Sequence, residues 1–524
     1  MGIQSLNTGI PSLLGETIWT QLFTISSFAI LGLLLYYTIS TLYNLTLHSL
    51  TPIPGPLLWR ASRLPYIYSL LHGNLVIDIR ALHTSYGTIV RTAPNEVSIA
   101  HEDVWHDVFS TVNGHKALPR DPVFFKSPPG QAENLITTVD VETSMRMRQV
   151  IGPAFTDRAV ARQEPVLQRY VSLMVDKMRE EIQKPENVKM GARINVVDWM
   201  NWWTFDVIGM LALGESFGCL KDTANHPWAV LIFNAIKMMA LAAVTQYFPG
   251  LDSLVLKLLP ASTRKMQEDH FAYAAEKIHR RLQRPESAEG DFMTVMLDPK
   301  NNPDFSKMSM PEIESTTALL LLGGSETTGT TICGILNCLM QNPQELGKLE
   351  TEVRTIFEKE EDMTLSALQQ LPFLNAVVSE GLRICNPVSG GLLRIVPRGG
   401  ATVCGYFLPE GTHIACNTIA MALSEANFHQ SLQFLPDRYL PAHLRPSEYA
   451  NDNRNILKPW GLGARVCLGR SFGQAELRLV LARLVWNFDL QSADGKGVNW
   501  FELKNYIVVQ KEPIWVTIRE REKL

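Results

Sequence analysis

The chain has 524 residues, 46% of them hydrophobic, and a formal net charge of −4. That length exceeds what one simple core fills, so several domains or one large multi-lobed unit is expected. The missing basic excess argues against nucleic acid as a partner. Seven cysteines, odd in number and without CxxC or metal-finger spacing, argue against a disulfide framework and point to a reducing compartment.

No Lys, Arg, Asp or Glu occurs between Glu16 and Arg60. About 20 apolar residues span a bilayer, and the stretch from Trp19 to Leu45 is that long and largely apolar. A cleaved signal peptide would start with a basic region and carry a shorter apolar core; no Lys or Arg precedes Arg60. The reading is a short lumenal N-terminus at 1–17, a retained transmembrane signal anchor at 18–45 and a proline-rich linker at 46–63. Residues 64–524 follow as the large domain. Arg60 and Arg63 come soon after the apolar segment, so the positive-inside rule keeps that domain in the cytosol. Asn44-Leu45-Thr46 is formally a glycosylation site but falls on the cytosolic margin, where it is expected to be inert. Thr51-Pro52-Ile53-Pro54-Gly55-Pro56 reads as a stiff boundary segment, because proline removes donors and fixes φ.

Residues 88–100 read as a β-hairpin with its turn at Ala93-Pro94-Asn95. Helical apolar spacing follows at 163–183, 228–246 and 263–283, and strand-like runs at 392–396, 402–407 and 514–518. The stretch 233–260 carries Met238, Met239, Phe248, Leu251, Leu254, Val255, Leu258 and Leu259 and has the composition of a buried helix pair. No internal repeat or low-complexity tract occurs. The pattern predicts a mainly α domain with small peripheral β-sheets.

Residues 311–340 form a long, nearly uncharged helix pattern interrupted by Gly323-Gly324-Ser325-Glu326-Thr327-Thr328. Each Gly costs ~1 kcal/mol against Ala, so a local opening of the helix is expected there. A capping or packing cluster is the other reading. Glu380 and Arg383, three residues apart between Leu374, Val377, Val378 and Leu382, share a helix face and are expected to pair, with Arg438 as a third member.

Near the C-terminus, Trp460-Gly461-Leu462-Gly463-Ala464-Arg465-Val466-Cys467-Leu468-Gly469 places one cysteine in a glycine-rich turn ahead of an apolar helix. A thiolate is stabilised by backbone N–H donors and a helix N-terminus. A lone cysteine has a structural reading as well. The whole pattern, aromatic-x-x-Gly-x-Arg-x-Cys-x-Gly, resembles the signature loop of the cytochrome P450 haem-thiolate enzymes; Trp460 stands where that family usually carries Phe. The resemblance covers roughly Pro52 to the C-terminus, with four motifs in the family's order.

The resemblance implies the cytochrome P450 fold behind one transmembrane helix. It implies haem b with Cys467 as axial ligand, Gly463 and Gly469 letting the backbone lie against the ring, and Trp460 covering the thiolate side. Arg465, Arg148 and Arg394 are implied as propionate contacts, although Ser144 stands where an aromatic residue usually precedes Arg148. Each of these arginines also has an ordinary surface reading. Gly323 to Thr328 resembles the family's Ala/Gly-Gly-x-Asp/Glu-Thr-Thr motif, which assigns Glu326 and Thr327 to proton delivery. Glu380, Arg383 and Arg438 resemble the structural triad behind the haem. The loop within 233–260 is implied to dip into the membrane, with Tyr247-Phe248-Pro249-Gly250 as the dip. The pocket is expected to be lined by Leu319, Leu322, residues 388–392, Ile507 and Val508, and so to take an apolar substrate of medium size.

The implied activity is insertion of one atom of O2 into an apolar small molecule, by hydroxylation or epoxidation. The chain has no flavin or nicotinamide domain, so NADPH-derived electrons would come from NADPH–cytochrome P450 reductase, with cytochrome b5 as a second donor. Lys458, Arg454 and Arg470 are the docking candidates. The implied location is the endoplasmic reticulum membrane, single-pass, in contact with lipid. The style of the sequence resembles fungal secondary-metabolism members, which act on terpenoid or polyketide intermediates of mycotoxins. Two other classes stay open here: a haem-thiolate isomerase or dehydratase that does not use O2, and a non-catalytic membrane haem carrier or sensor.

Overall fold

A computed structural model describes residues 10–112, 116–127, 130–226, 240, 242–248, 261–283 and 291–522. The first helix, α1 (Ile10–Thr46), contains a candidate membrane span at Gln21–Thr46 with mean hydropathy 1.9 and none of its 18-residue window buried. It starts earlier than the expected residue 18, because Pro11 is tolerated in a first helical turn and nothing after it breaks the helix.

The segment expected to be a linker is packed onto the domain. Leu50 and Ile53 are 1% and 2% exposed. The Arg91 backbone N–H donates to the Pro54 carbonyl at 2.7 Å. The buried Arg91 guanidinium donates to the Asn44 carbonyl at 2.8 Å, and the Asn44 amide donates to the Ala61 carbonyl at 2.9 Å. The glycosylation-like Asn44 side chain is therefore already bonded. Gly55 has to be glycine, since a Cβ there would lie 2.4 Å from the Arg91 carbonyl oxygen.

The hairpin forms as expected, from β1 (Ile89–Ala93) and β2 (Glu96–Ile99). It joins β3 (Leu392–Ile395) and β4 (His413–Cys416) in a four-stranded sheet of order β1-β2-β4-β3, with β2 and β4 parallel. The single strand expected at 402–407 is instead a hairpin of Ala401–Val403 and Tyr406–Leu408. Cys404 and Gly405, with φ of 47° and 81°, make the turn that splits it. The run expected at 514–518 falls, apart from Ile514, in strand Trp515–Glu520 of a three-stranded sheet.

The rest is mainly helical. The main core is built from α2 (Val141–Ile151), α3 (Asp157–Ile182), α4 (Val196–Leu213), α5 (Met310–Gln341), α6 (Pro372–Ile384) and α7 (Arg470–Asn487). The helix expected at 163–183 is the larger part of α3, and that at 263–283 matches Ala261–Leu282. The helix expected at 228–246 and the apolar stretch 233–260 lie mostly outside the described residues.

Helix α5 starts at a capping box between Ser309 and Glu312. It runs without a break through 323–328, so the expected local opening is absent. Packing explains the composition. A Cβ at Gly324 would lie 2.6 Å from Ile208 Cδ1 of α4. The hydroxyls of Ser325, Thr327 and Thr331 donate back to carbonyls one turn earlier, at 2.7, 2.5 and 3.0 Å.

Candidate active site

The cysteine loop is shaped by backbone conformation. Gly461 and Gly463 have φ of 76° and 75°, a region costly for any residue with a Cβ. At Gly463 a Cβ would also lie 2.1 Å from the Phe109 carbonyl oxygen. The Cys467 N–H donates to the Trp460 carbonyl at 2.7 Å and closes the loop, and α7 starts at Arg470. Dense protein surroundings push the Cys467 thiol pKa up, opposed by the Gly469 N–H and the Arg148 guanidinium. The residue nonetheless keeps an exposed surface within these surroundings. Gly469 has φ −82°, which suits any residue, and a Cβ there would meet no protein atom within 4 Å. Protein packing alone does not demand glycine at 469. Trp460 lays its ring edge on Gly473, where a Cβ would be 3.0 Å away.

Arg148, Arg394 and Arg465 come together, and Arg120 joins them. Burial, then the Arg465, Arg394 and Arg148 charges, pull the Arg120 pKa down to about 8. Burial together with Arg465 brings Arg394 to about 10, and burial together with Arg148 brings Arg465 to about 10. Burial also lowers Arg148. The four guanidiniums are met by backbone carbonyls: Arg148 by Val466, Arg120 by Leu135 and Ile136, Arg394 by Leu393, and Arg465 by Thr138, Val139 and Asp140. Among the described residues no carboxylate forms an ion pair with any of them. Asp140 and Glu133 offset the Arg465 charge only in part; four clustered like charges without an ion-paired carboxylate among the described residues suit a polyanion, and a haem with two propionates fits. The Ser144 hydroxyl, one helical turn before Arg148, is buried and without a partner among the described residues.

On α5, Leu319, Gly323 and Thr327 recur every four residues on one half-buried face. A Cβ at Gly323 would meet nothing within 4 Å. Thr327 donates to the Gly323 carbonyl. Glu326 turns to a neighbouring, buried face and pairs with Lys511 at 2.7 Å. Thr328 donates to Glu476 of α7 at 2.9 Å. Burial raises the Glu476 pKa to about 8, and the Thr328 bond partly offsets this.

Glu380, Arg383 and Arg438 are fully buried together. Arg383 holds both Glu380 oxygens at 2.7 Å, and Arg438 Nε lies 3.2 Å from Glu380 Oε1. Asp452 is a fourth member, paired with Arg438. Carbonyls of Ala422, Ser431 and Gln433 satisfy Arg383 further, as a buried ion pair requires.

Of the other expected residues, Leu319 and Leu322 are half-buried on α5. Ile507 sits at a hairpin tip with φ 87°, strained for a β-branched residue. Pro249 and Gly250 of the expected membrane dip lie outside the described residues. Tyr247 folds inward, its ring centroid 4.1 Å from the Arg63 guanidinium, while Phe248 is exposed. Arg470 is exposed beside the cysteine loop; Arg454 and Lys458 are half-buried, and Arg454 donates to the Tyr449 carbonyl at 2.8 Å. Sequence reasoning missed Arg120, Glu476, Lys511 and Asp452. Glu476 alone carried a signal, as a carboxylate four residues before Val480 in an otherwise apolar stripe.

The sequence profile described as Cytochrome P450 matches residues 52–518. The chain is 33% identical over 487 residues to a cytochrome P450 monooxygenase, efuB, of Hormonema carpetanum, covering 93% of this chain and 94% of the relative. It is 33% identical to the versicolorin B desaturase stcL of Emericella nidulans, covering 94% and 98%. It is 35% identical to an averantin hydroxylase of Dothistroma septosporum, covering 94% and 91%. Its fold is similar to the crystal structure of the cytochrome P450DA heme domain, with TM-score 0.73 and 17% identity over 90% of this chain and 98% of the other. Motifs, fold and relatives agree: the chain belongs to the cytochrome P450 family, haem-thiolate monooxygenases that use O2 and NADPH-derived electrons, take their electrons from a redox partner and act on small molecules.

Proposed function

We propose that the protein is a membrane-anchored monooxygenase of fungal secondary metabolism, acting on an apolar terpenoid or polyketide intermediate in mycotoxin biosynthesis. One observation carries the site assignment: an exposed cysteine stands beside four arginines, Arg394 buried and Arg120, Arg148 and Arg465 half-buried, none of which forms an ion pair with a carboxylate among the described residues. In this reading Cys467 would bind the haem iron through its thiolate, Arg148, Arg394 and Arg465 together with Arg120 would hold the propionates, and Trp460, Gly463 and Gly469 would shape the bed of the ring. When bound, the haem supplies reductive activation of O2, and a thiolate ligand favours O–O cleavage.

The chain's own residues do the rest. Leu319 and Leu322 present apolar surface to the substrate and keep water out. The Thr327 hydroxyl would hold a proton on the half-buried face of α5, and Glu326 would resupply it through water. Glu380, Arg383 and Arg438 keep the fold behind the cysteine loop rigid. Relatives named for a hydroxylase and a desaturase support carbon hydroxylation, and add desaturation to the outcomes considered.

The electron donor in this reading is NADPH–cytochrome P450 reductase, with cytochrome b5 as an accessory, docking near Arg470. The protein sits in the endoplasmic reticulum as a single-pass protein with its catalytic domain, 64–524, in the cytosol. The charge-free span and the following Arg60 and Arg63 support this orientation.

The test is a reduced carbon monoxide difference spectrum of the microsomal protein, with Cys467→Ser beside it. The thiolate-type band is expected in the parent and lost in the variant; an unchanged variant spectrum overturns the ligand assignment. Metabolite profiling of a deletion strain then identifies the accumulating substrate. No accumulating apolar intermediate would overturn the metabolic reading.

A further inference from the structure

The carboxylate assigned to proton supply has a buried cationic partner from a distant part of the chain. Lys511 Nζ lies 2.7 Å from Glu326 Oε1, with side chains 5% and 6% exposed. Lys511 also donates to the Thr330 hydroxyl at 3.1 Å, which in turn donates to Glu326 Oε1 at 3.4 Å. The three form a closed triangle that fixes one carboxylate oxygen. The other, Oε2, is buried and has no hydrogen-bond partner among the described residues.

The segment that carries Lys511 is fixed on both sides. The Val509 N–H donates to the Pro387 carbonyl at 3.3 Å, and the Gln510 N–H to the Lys504 carbonyl at 2.7 Å. The Ile514 N–H donates to the Asn195 side chain at 3.0 Å. The residue as a whole is half-buried while its side chain is buried, so the chain at 511 meets solvent and the ammonium lies inside. Burying an ammonium is costly without an acceptor set of this kind. Retaining Lys at 511 and Glu at 326 together therefore needs a reason other than packing.

We infer that Lys511 is the positioning residue of the proton-supplying carboxylate: it ties Oε1 down through Thr330 and leaves Oε2 to bond water on the way to Thr327. The inference rests on Glu326 serving in proton supply. Neutralising Lys511 strands a buried carboxylate, which becomes neutral and free to rotate.

The experiment compares parent, Lys511→Met, Lys511→Arg, Glu326→Gln and the Lys511→Met/Glu326→Gln double variant. The first readout needs no turnover: infrared spectra of the haem-loaded proteins. Lys511→Met should gain the band of a buried neutral carboxylic acid that the double variant lacks, and Lys511→Arg should not gain it. The second readout is peroxide released per NADPH with reductase and no added substrate. Lys511→Met should leak several-fold more peroxide than the parent, with Lys511→Arg close to the parent. If Glu326→Gln itself leaks no more than the parent, the proton-supply role of Glu326 fails. If Glu326→Gln leaks but Lys511→Met neither leaks nor gains the band, the inference about Lys511 alone is overturned. Should Lys511→Met fold poorly, Lys511→Gln takes its place with the same expectations.

Discussion

The Glu476 carboxylate of α7 accepts a hydrogen bond from the Thr328 hydroxyl of α5 at 2.9 Å, with Glu476 only 1% exposed. The bond ties the helix behind the cysteine to the helix that carries Glu326 and Thr327. Glu476 keeps its proton up to about pH 8 in the folded protein, against an ordinary carboxyl value of 4.5. Between those values the folded state binds one proton more than the unfolded state. Stability therefore falls as pH rises, by up to ~1.4 kcal/mol per pH unit from this group. Glu476→Gln keeps an acceptor for Thr328 and removes the titration. Thermal denaturation from pH 5 to 8 should show a flatter curve for the variant than for the parent. Parallel curves would mean that Glu476 ionises at an ordinary pH.

Arg120 should matter for haem retention although no motif marks it. Its charge is disfavoured by burial and by three neighbouring guanidiniums, a cost that two propionates would offset. Arg120→Met should lose haem to excess apomyoglobin about tenfold faster than the parent, on the scale seen for outer-shell partners of a metal site. An unchanged rate would place Arg120 outside the propionate set.

Thr327→Ala should keep haem and still accept electrons, while making less product and more peroxide per NADPH. Its hydroxyl is the hydrogen-bonding group on the half-buried face of α5 that also carries Leu319 and Gly323. A peroxide yield equal to the parent would reduce Thr327 to a packing residue.

Two truncations separate anchor from domain. A chain starting at Asn44 should leave microsomes, at least in part, and keep its haem spectrum. A chain starting at Leu57 loses the burial of Leu50 and Ile53 and leaves the Arg91 guanidinium short of the Asn44 carbonyl. It should be roughly 3 kcal/mol or more less stable, read from urea midpoints. Equal midpoints would show that residues 44–56 are a tether after all.

What could be read from the sequence was local or carried by a contiguous motif. The hairpin at 89–99, the loop around Cys467 and the Glu380–Arg383 pair each lie within a short window, where periodicity and turn chemistry act directly. Lys511 meets Glu326, and Arg120 meets Arg394 and Arg465, across long stretches of chain, while Asp452 reaches Arg438 through irregular loop; no periodicity or spacing rule reports either kind of meeting. The opening expected in α5 failed for a related reason. Gly324 is glycine because Ile208, on another helix, occupies the space for a Cβ, and propensity cannot see across helices.

The Asn44–Arg91–Pro54 contacts leave the catalytic body without a swivel. With α1 as a membrane anchor, any tilt it takes up in the bilayer would pass directly into a rotation of the whole body. Helices longer than the local hydrocarbon thickness tilt to fit it. Membrane thickness would then set which rim of the protein rests on the lipid headgroups.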